Sequence, residues 1–149
     1  MIEAAFGGSD EAGLVDQLRG SEYALLSLVA ELDGRVVGHV LFSRTWIETP
    51  AGRVSAVALA PAAVHPEHQR EGIGSGLIEH GLELVKARGE GIVIVAGHPQ
   101  YYPRFGFSTE KARFLRSPFP AEAFMAMELR AEALQGIEGS VVYPPAFGI

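Results

Sequence analysis

A glycine-rich segment in the middle of the chain has the residue types and spacing of an anion-binding site. Gly72 and Gly74 follow an apolar segment that ends at Val64, and an apolar-periodic stretch begins beside them. Glycines let the backbone turn tightly, and the first N–H groups of a helix, with the positive end of its dipole, bind phosphate. The sequence therefore predicts a diphosphate-bearing ligand at this loop.

Two common phosphate-binding designs fit this segment poorly. A Walker loop places a lysine after its last glycine, and no lysine follows Gly74. A dinucleotide fingerprint needs a third glycine where this chain has Leu77, and an acidic residue after the next strand, where residues 97–99 are Gly-His-Pro. A third pattern fits the segment better than either of these two designs.

That pattern is Gln/Arg-x-x-Gly-x-Gly/Ala, and Gln69-Arg70-Glu71-Gly72-Ile73-Gly74 resembles it position by position. It is the acyl-CoA loop of the GCN5-related N-acetyltransferases. A second signature of that family, a tyrosine four residues before a Gly-Phe pair, resembles Tyr102 with Gly106-Phe107. With residues 123–129, the two motifs are most similar to the YhbS-like acetyltransferases, over roughly residues 20 to 130.

The resemblance implies an α/β fold with a mixed, mainly antiparallel sheet flanked by helices. It also implies acetyl-CoA as co-substrate and direct transfer of the acetyl group to an amine, with no covalent enzyme intermediate. Pantetheine would bond the backbone of Ala62, Ala63 and Val64 as an added strand, and one N–H there could polarise the thioester oxygen. The diphosphate would lie on the loop formed by Gln69, Arg70, Glu71, Gly72, Ile73, Gly74 and Ser75.

Two side chains are the catalytic candidates. Tyr102 stands where many family members place the acid that protonates the leaving thiolate, and a tyrosine stays protonated below about pH 10. His98 follows a predicted strand and could accept the amine proton, since its reference pKa lies near ~6.5. The alternatives are that Tyr102 only packs the short helix and that His98 is a turn residue bonded to backbone.

Further titratable residues carry no fixed geometry in the sequence. They are His39, Glu48, His65 and His68. The last two are spaced i,i+3, as some metal ligands are, but no third ligand is evident, so no metal is expected.

Composition limits the class of protein. A chain of 149 residues fits one domain, here 1–149 with a C-terminal extension from about 136. The net charge of −6 and scattered basic residues argue against nucleic acid, and no apolar run approaches the ~18 residues of a membrane span. With no export signal, we expect a soluble protein, while the absence of cysteine fits an oxidising compartment as well as a reducing one. The implied dependence on acyl-CoA favours the cytoplasm, and the acceptor is expected to be a small-molecule or peptide amine.

Periodicity predicts the elements that position these groups. Strands are expected at 23–32 and, after a hairpin at Asp33-Gly34, from Val36 onward, where one face should be only partly buried. A strand at 54–64 contains Pro61, which predicts a bulge or an unpaired gap there. The later predictions are a helix at 72–88, strands at 92–96, near Phe114 and at 124–129, and a short aromatic helix at 101–105.

One departure from the family pattern concerns the start of the chain. Residues 1–6 resemble the middle of the family's first helix, so the first strand is expected to be missing and the seven-stranded sheet incomplete. The strand at 23–32 would then be an apolar edge, which a second copy in a homodimer or the Pro144-Pro145 tail should cover.

Two rival functions stay open at this point. One is a non-catalytic acyl-CoA-binding or sensing module, and the other is an interaction protein that uses an exposed sheet edge. The acceptor is expected to contact residues 44–53 and 114–122, which carry no transferable motif.

Overall fold

A computed structural model describes residues 24–32, 34–64 and 72–144 of the chain. Up to β6, the strands and helices follow one another in the predicted order. They are β1 (Ala24–Leu32), β2 (Arg35–Thr49), β3 (Gly52–Val64), helix α1 (Ile73–Ala87), β4 (Ile92–Ala96), a 3₁₀ helix (Tyr102–Phe105), β5 (Leu115–Arg116), β6 (Phe124–Glu128) and β7 (Gly139–Val142).

The predicted hairpin joins β1 and β2. The two strands pair antiparallel, and the register closes at Leu32↔Arg35, which leaves a two-residue loop. Gly34 in that loop has φ +78°, a left-handed conformation that glycine adopts without steric cost. The hairpin prediction is therefore confirmed, although Asp33 itself lies outside the described residues.

Strand β2 is more deeply buried than its sequence pattern predicts. All residues from 37 to 43 are buried, so both faces of this stretch are covered rather than one. On one face, the ring of Phe42 lies against α1 at Gly81, where an added Cβ would be 2.6 Å from Phe42 Cζ. The glycine in the helix therefore makes room for the aromatic ring in the strand.

Strand β3 leads to α1, which leads back to β4 as a parallel neighbour of β3. The helix buries Leu77, Ile78, Gly81, Leu82 and Val85, which lie on one face at helical spacing. The β3–β4 ladder consists of Val57↔Val93 and Ala58↔Ile94, while β3 continues to Val64. Pro61 therefore lies beyond this ladder, in a part of the strand where β4 requires no N–H from it.

Part of the predicted C-terminal extension from about residue 136 forms a strand of the sheet. Strand β7 pairs antiparallel with β2 through Trp46↔Val142 and parallel with β5 through Leu115↔Gly139. Four residues are too short for a recognisable alternation, so only the long-range pairing reveals this strand. Its glycine is required, since a Cβ at Gly139 would overlap the Glu48 carbonyl.

The described strands form one seven-stranded sheet in the order β5-β7-β2-β3-β4-β6, with β1 also paired to β2. The seven described strands include the two-residue β5 and the C-terminal β7. The prediction about the first helix and strand falls on residues outside the described ranges.

The chain packs as two compact units, Met1–Ser43 with Leu59–Ala87 and Arg44–Ala58 with Arg88–Ile149. Strands β2 and β3 run through both units, and a single domain stays a prediction. The second unit has its own core, in which β4 and β6 contribute Ile92, Ile94, Phe124 and Ala126, packed with Ile47, Ala56, Ala58, Ala112, Leu115, Val141 and Tyr143.

Two glycines of α1 give a matched test of this packing. Gly81→Ala is expected to lower the free energy of unfolding, because overpacking against Phe42 costs about 1–3 kcal/mol, which exceeds the ~1 kcal/mol gained in helix propensity. Gly76→Ala meets open space and should raise stability by up to about 1 kcal/mol. Urea unfolding of both variants checks this, and equal stabilisation by both would show that the Phe42 contact is not tight.

Candidate functional site

The start of α1 has the geometry predicted for an anion site. Gly72 has φ +82°, and its carbonyl accepts the first helical hydrogen bond from the Gly76 N–H at 2.9 Å. The N–H groups of Ile73 and Gly74 therefore belong to the first turn, where helix geometry supplies no acceptor. A substituent at Gly72 would be strained even though no atom lies within 4 Å of its Cβ position.

Charge along α1 also favours an anion at this end. The first turn holds no acidic side chain, and Lys86 lies in the last turn. The helix thus carries no negative side chain that would compete with a ligand for the positive end of its dipole. Gln69, Arg70 and Glu71 lie outside the described residues, whereas Gly72, Ile73, Gly74 and Ser75 form the helix entry as predicted.

The strand predicted to hold pantetheine is extended as that role requires. Ala62, Ala63 and Val64 are the last residues of β3, beyond the last pair of its ladder with β4 at Ala58↔Ile94. The end of β4 bonds on its other side to β6, through Val95↔Met125 and Ala96↔Phe124. This part of β3 is therefore a strand without a β4 ladder, a backbone arrangement that can accept an added strand.

Tyr102 is held by ring contacts in the second unit. Its ring lies over Gly97, where a Cβ would be 2.5 Å from Tyr102 Cε2, and it makes an edge contact with Phe107 at 5.9 Å between centroids. A second edge contact joins it to Tyr101 at 5.1 Å. Burial, and secondarily Tyr101, raises the pKa of the Tyr102 phenol above its ordinary value of 10.0. The phenol is therefore a proton donor at neutral pH.

His98 is joined to the Tyr102 segment through its backbone. Its carbonyl accepts hydrogen bonds from the N–H groups of Tyr101 at 3.1 Å and Tyr102 at 3.4 Å, so it closes the turn into the 3₁₀ helix. The imidazole itself is exposed. The structure thus brings the two catalytic candidates onto one turn, with the His98 ring open to solvent.

The remaining titratable candidates have structural partners or fall outside the description. His39 is buried at 2% exposure, with Nε2 3.3 Å from the Ser27 hydroxyl. Glu48 accepts hydrogen bonds from Arg53 across an exposed hairpin. His65 and His68 lie outside the described residues, and within the described ranges no three His, Asp or Glu side chains group as metal ligands.

Two features of the second unit are absent from the sequence predictions. The Tyr102 ring packs directly against the main chain at Gly97. A Gly-His-Pro sequence gives no sign of this contact, because it is equally typical of an ordinary turn. Arg44 forms a two-pronged ion pair with Glu90, at 2.9 and 2.6 Å, and also bonds the Ala56 carbonyl at 3.1 Å. This pair fixes the loop before β4 to β2, and a separation of 46 residues in the chain gives no local signal.

In the part of the chain that the structure describes, no helix is long and apolar enough to cross a membrane.

Comparison with known proteins identifies the family. A profile described as "Acetyltransferase (GNAT) domain" matches residues 1–109. The chain is 33% identical to the N-acetyltransferase YhbS of Escherichia coli K12 over 150 aligned positions, which cover 99% of this chain and 89% of YhbS. It is 45% identical to the N-acetyltransferase YjhQ of the same strain over 105 residues, 69% of this chain and 58% of YjhQ.

Two solved structures have the same fold. The E. coli YhbS structure in complex with CoA superposes with a TM-score of 0.84 at 34% identity, over 94% of this chain and 78% of that one. A Brucella melitensis acetyltransferase in complex with acetyl-CoA has a TM-score of 0.76 at 33% identity, over 96% of this chain and 81% of that one. The glycine loop, the sheet and these relatives agree: the chain belongs to the GNAT family of acetyltransferases.

Proposed function

We propose that this chain transfers an acetyl group from acetyl-CoA directly to an amine. The observation that carries the proposal is the helix entry at Gly72, with its positive φ and a first turn free of acidic side chains, in a member of the GNAT family. The relatives that superpose on the chain hold CoA in one structure and acetyl-CoA in another, which supports the same cofactor here.

In the proposed complex, the cofactor uses backbone groups more than side chains. The diphosphate accepts hydrogen bonds from the loop at residues 69–75, of which Ile73 and Gly74 supply first-turn N–H groups. Pantetheine bonds Ala62, Ala63 and Val64 as an added strand, and one N–H there polarises the thioester oxygen. The cofactor is a co-substrate, and the proposal includes no metal.

The proposed chemistry needs two proton transfers. The neutral amine attacks the thioester carbon, and its nitrogen then loses a proton to His98, directly or through water. Collapse of the tetrahedral intermediate breaks the carbon–sulfur bond, and Tyr102 donates a proton to the thiolate. Because its pKa is raised, Tyr102 keeps that proton across the neutral range.

Cofactor affinity is expected to depend on backbone geometry at the loop. Gly74→Val places a branched side chain in the first turn, where it blocks the close approach of a diphosphate, so CoA affinity should fall at least tenfold, about 1.4 kcal/mol. Isothermal titration calorimetry measures the loss.

Gly76→Ala is the matched control for this loop, because its Cβ meets open space in the same helix. We expect its CoA affinity to equal that of the unsubstituted chain. Unchanged CoA affinity in a folded Gly74→Val protein would contradict the placement of the diphosphate.

Turnover is expected to depend on the Tyr102 hydroxyl. Tyr102→Phe keeps the ring on Gly97 but removes the proton donor, so kcat should fall roughly 10²-fold with CoA affinity unchanged. Single-turnover thiol release measures this change. The raised pKa keeps the Tyr102 phenol protonated. The rate of the unsubstituted chain should therefore not decline below about pH 10 through ionisation of this group.

The outcome of the same assay separates the rival functions. Equal single-turnover rates for the Phe variant and the unsubstituted chain would leave Tyr102 as a packing residue. A companion variant, His98→Gln, removes the group that accepts the amine proton, so its single-turnover rate should fall while its CoA affinity stays unchanged. CoA binding without thiol release for any amine would favour the sensing module.

Localisation and assembly complete the proposal. We place the protein in the cytoplasm, where acetyl-CoA is made and used, with no nucleic-acid or membrane partner. We also propose that two copies associate as a homodimer, as the apolar sequence of the strand at 23–32 predicts. Sedimentation at micromolar concentration should show a dimer, and a monomer whose amides at 24–30 exchange freely would contradict it.

A further inference from the structure

A cavity of about 680 Å³ lies in the second unit, beside the segment that joins the 3₁₀ helix to β6. Its lining includes the buried core residues Ala112, Leu115 and Phe124, and Phe119 adds a second aromatic ring. Phe119 is held in place by an edge contact with Tyr143 at 5.8 Å between centroids. The cavity thus offers a preformed apolar wall large enough for a small organic molecule.

The polar lining of the cavity is mainly cationic. Arg113 and Arg116 both line it, and among the described residues around it Glu122 is the single carboxylate. The local excess of positive charge contrasts with the net charge of −6 of the whole chain. A guanidinium pair beside an apolar wall is the arrangement that recognises a carboxylate attached to an apolar body.

Arg116 is anchored in a way that leaves one edge available. Its Nε donates to the Ser140 hydroxyl at 3.0 Å, and the two residues are register partners in the β5–β7 ladder. None of the described residues accepts a hydrogen bond from its two Nη groups. Arg116 is exposed, and its Nη edge can donate two parallel hydrogen bonds to a carboxylate.

Arg113 has a similar but looser support. Its Nη1 donates to the Glu110 carbonyl at 2.7 Å, and its guanidinium lies 4.6 Å above the exposed Phe114 ring. The Glu110 carboxylate is 3.8 Å away, but it is 83% exposed, so solvent screens it. Arg113 therefore adds positive charge at the cavity mouth, and Arg116 provides the fixed donors.

The cavity lies beside the end of β4, next to Gly97, against which the Tyr102 ring packs. Phe124 in its lining is the register partner of Ala96, and the Ala123 carbonyl accepts from the Gly97 N–H at 2.9 Å. Ala96 packs against the core that includes Phe124, whereas the Cβ position of the next residue, Gly97, faces the Tyr102 ring. Two consecutive residues at this strand end thus contact the Phe124 core and the Tyr102 ring respectively.

We propose that this cavity holds the acceptor by a carboxylate, so that the preferred substrates are amines bearing both a carboxylate and an apolar or aromatic body. Arg116 and Arg113 bind the carboxylate, and Leu115, Phe119 and Phe124 contact the body. This inference rests on the proposed acetyltransferase function, and it makes both arginines specificity-determining residues.

Binding can be tested without any chemistry. We expect 3-phenylpropionate, which has no amine, to bind the unsubstituted chain at least tenfold more tightly than the neutral 3-phenylpropionamide, as measured by NMR titration. Arg116→Gln should remove most of this preference. Lys86→Gln, which deletes the same charge from the exposed side of α1, should leave it unchanged.

The second test compares the rates at which paired acceptors are acetylated. The acceptor pairs are phenylalanine with phenylalaninamide and 4-(aminomethyl)benzoate with 4-(aminomethyl)benzamide, which place the amine near to or far from the carboxylate. In at least one pair, kcat/KM should favour the carboxylate about tenfold or more, and the Arg113→Gln/Arg116→Gln double variant should abolish the preference. CoA affinity of every variant is expected to stay constant.

The outcomes distinguish the inferred carboxylate site from the acetyltransferase function on which it rests. Acetylation of amines with no preference for either carboxylate would overturn the inference and leave the acetyltransferase function standing. Absent or arginine-independent binding of 3-phenylpropionate would overturn it as well. Arginine-dependent binding of 3-phenylpropionate, in a chain that releases no thiol with any amine, would support the carboxylate site and count against the acetyltransferase proposal.

Discussion

A strand that extends past its hydrogen-bonded neighbour presents backbone N–H and C=O groups that need other partners, and β3 is such a strand. Its ladder with β4 ends at Ala58, but the strand continues to Val64. Unpaired backbone groups are costly when buried and useful when a ligand supplies the missing partner. The same segment leads to α1, whose first turn has unpaired donors for the same geometric reason.

This constraint explains why the proposed cofactor site consists of small residues that would bind mainly through their backbone. A loop that binds through N–H groups needs close approach, which Gly72 permits through its positive φ and Gly74 through its lack of a side chain. Tyr102 depends on a third glycine, because any Cβ at Gly97 would displace its ring. Glycine is thus used where a ligand or an aromatic ring must contact the main chain.

The sequence predicted the parts of the fold that depend on local signals. The apolar run at 92–96 is β4 with the same limits, and the Asp33-Gly34 signal marks the β1–β2 hairpin. Strands β5 and β7 carry too few residues for a periodic pattern, and their pairing joins segments far apart in the chain. The burial of both faces of β2 at residues 37–43 also escaped prediction, since it depends on what packs against the second face.

For the site, the sequence predicted the motifs but not the tertiary contacts that hold them in place. The glycine loop and Tyr102 follow from spacing and resemblance. Tertiary packing produces the other features, which are the contact between Gly97 and the Tyr102 ring, the Arg44–Glu90 ion pair and the cavity at residues 109–124. Residues 114–122, with residues 44–53, were expected to contact the acceptor, although neither segment carries a transferable motif. Part of the segment 114–122 lines the cavity in which we propose that the acceptor binds.

The most direct test of the central claim is phosphorus NMR of CoA titrated with the unsubstituted chain. If the helix entry holds the diphosphate, its two resonances should shift or broaden in proportion to the chain added, because the N–H groups of the first turn change their shielding. Diphosphate resonances that stay at their free positions at saturating protein, or that move less than the 3′-phosphate resonance alone, would contradict the account.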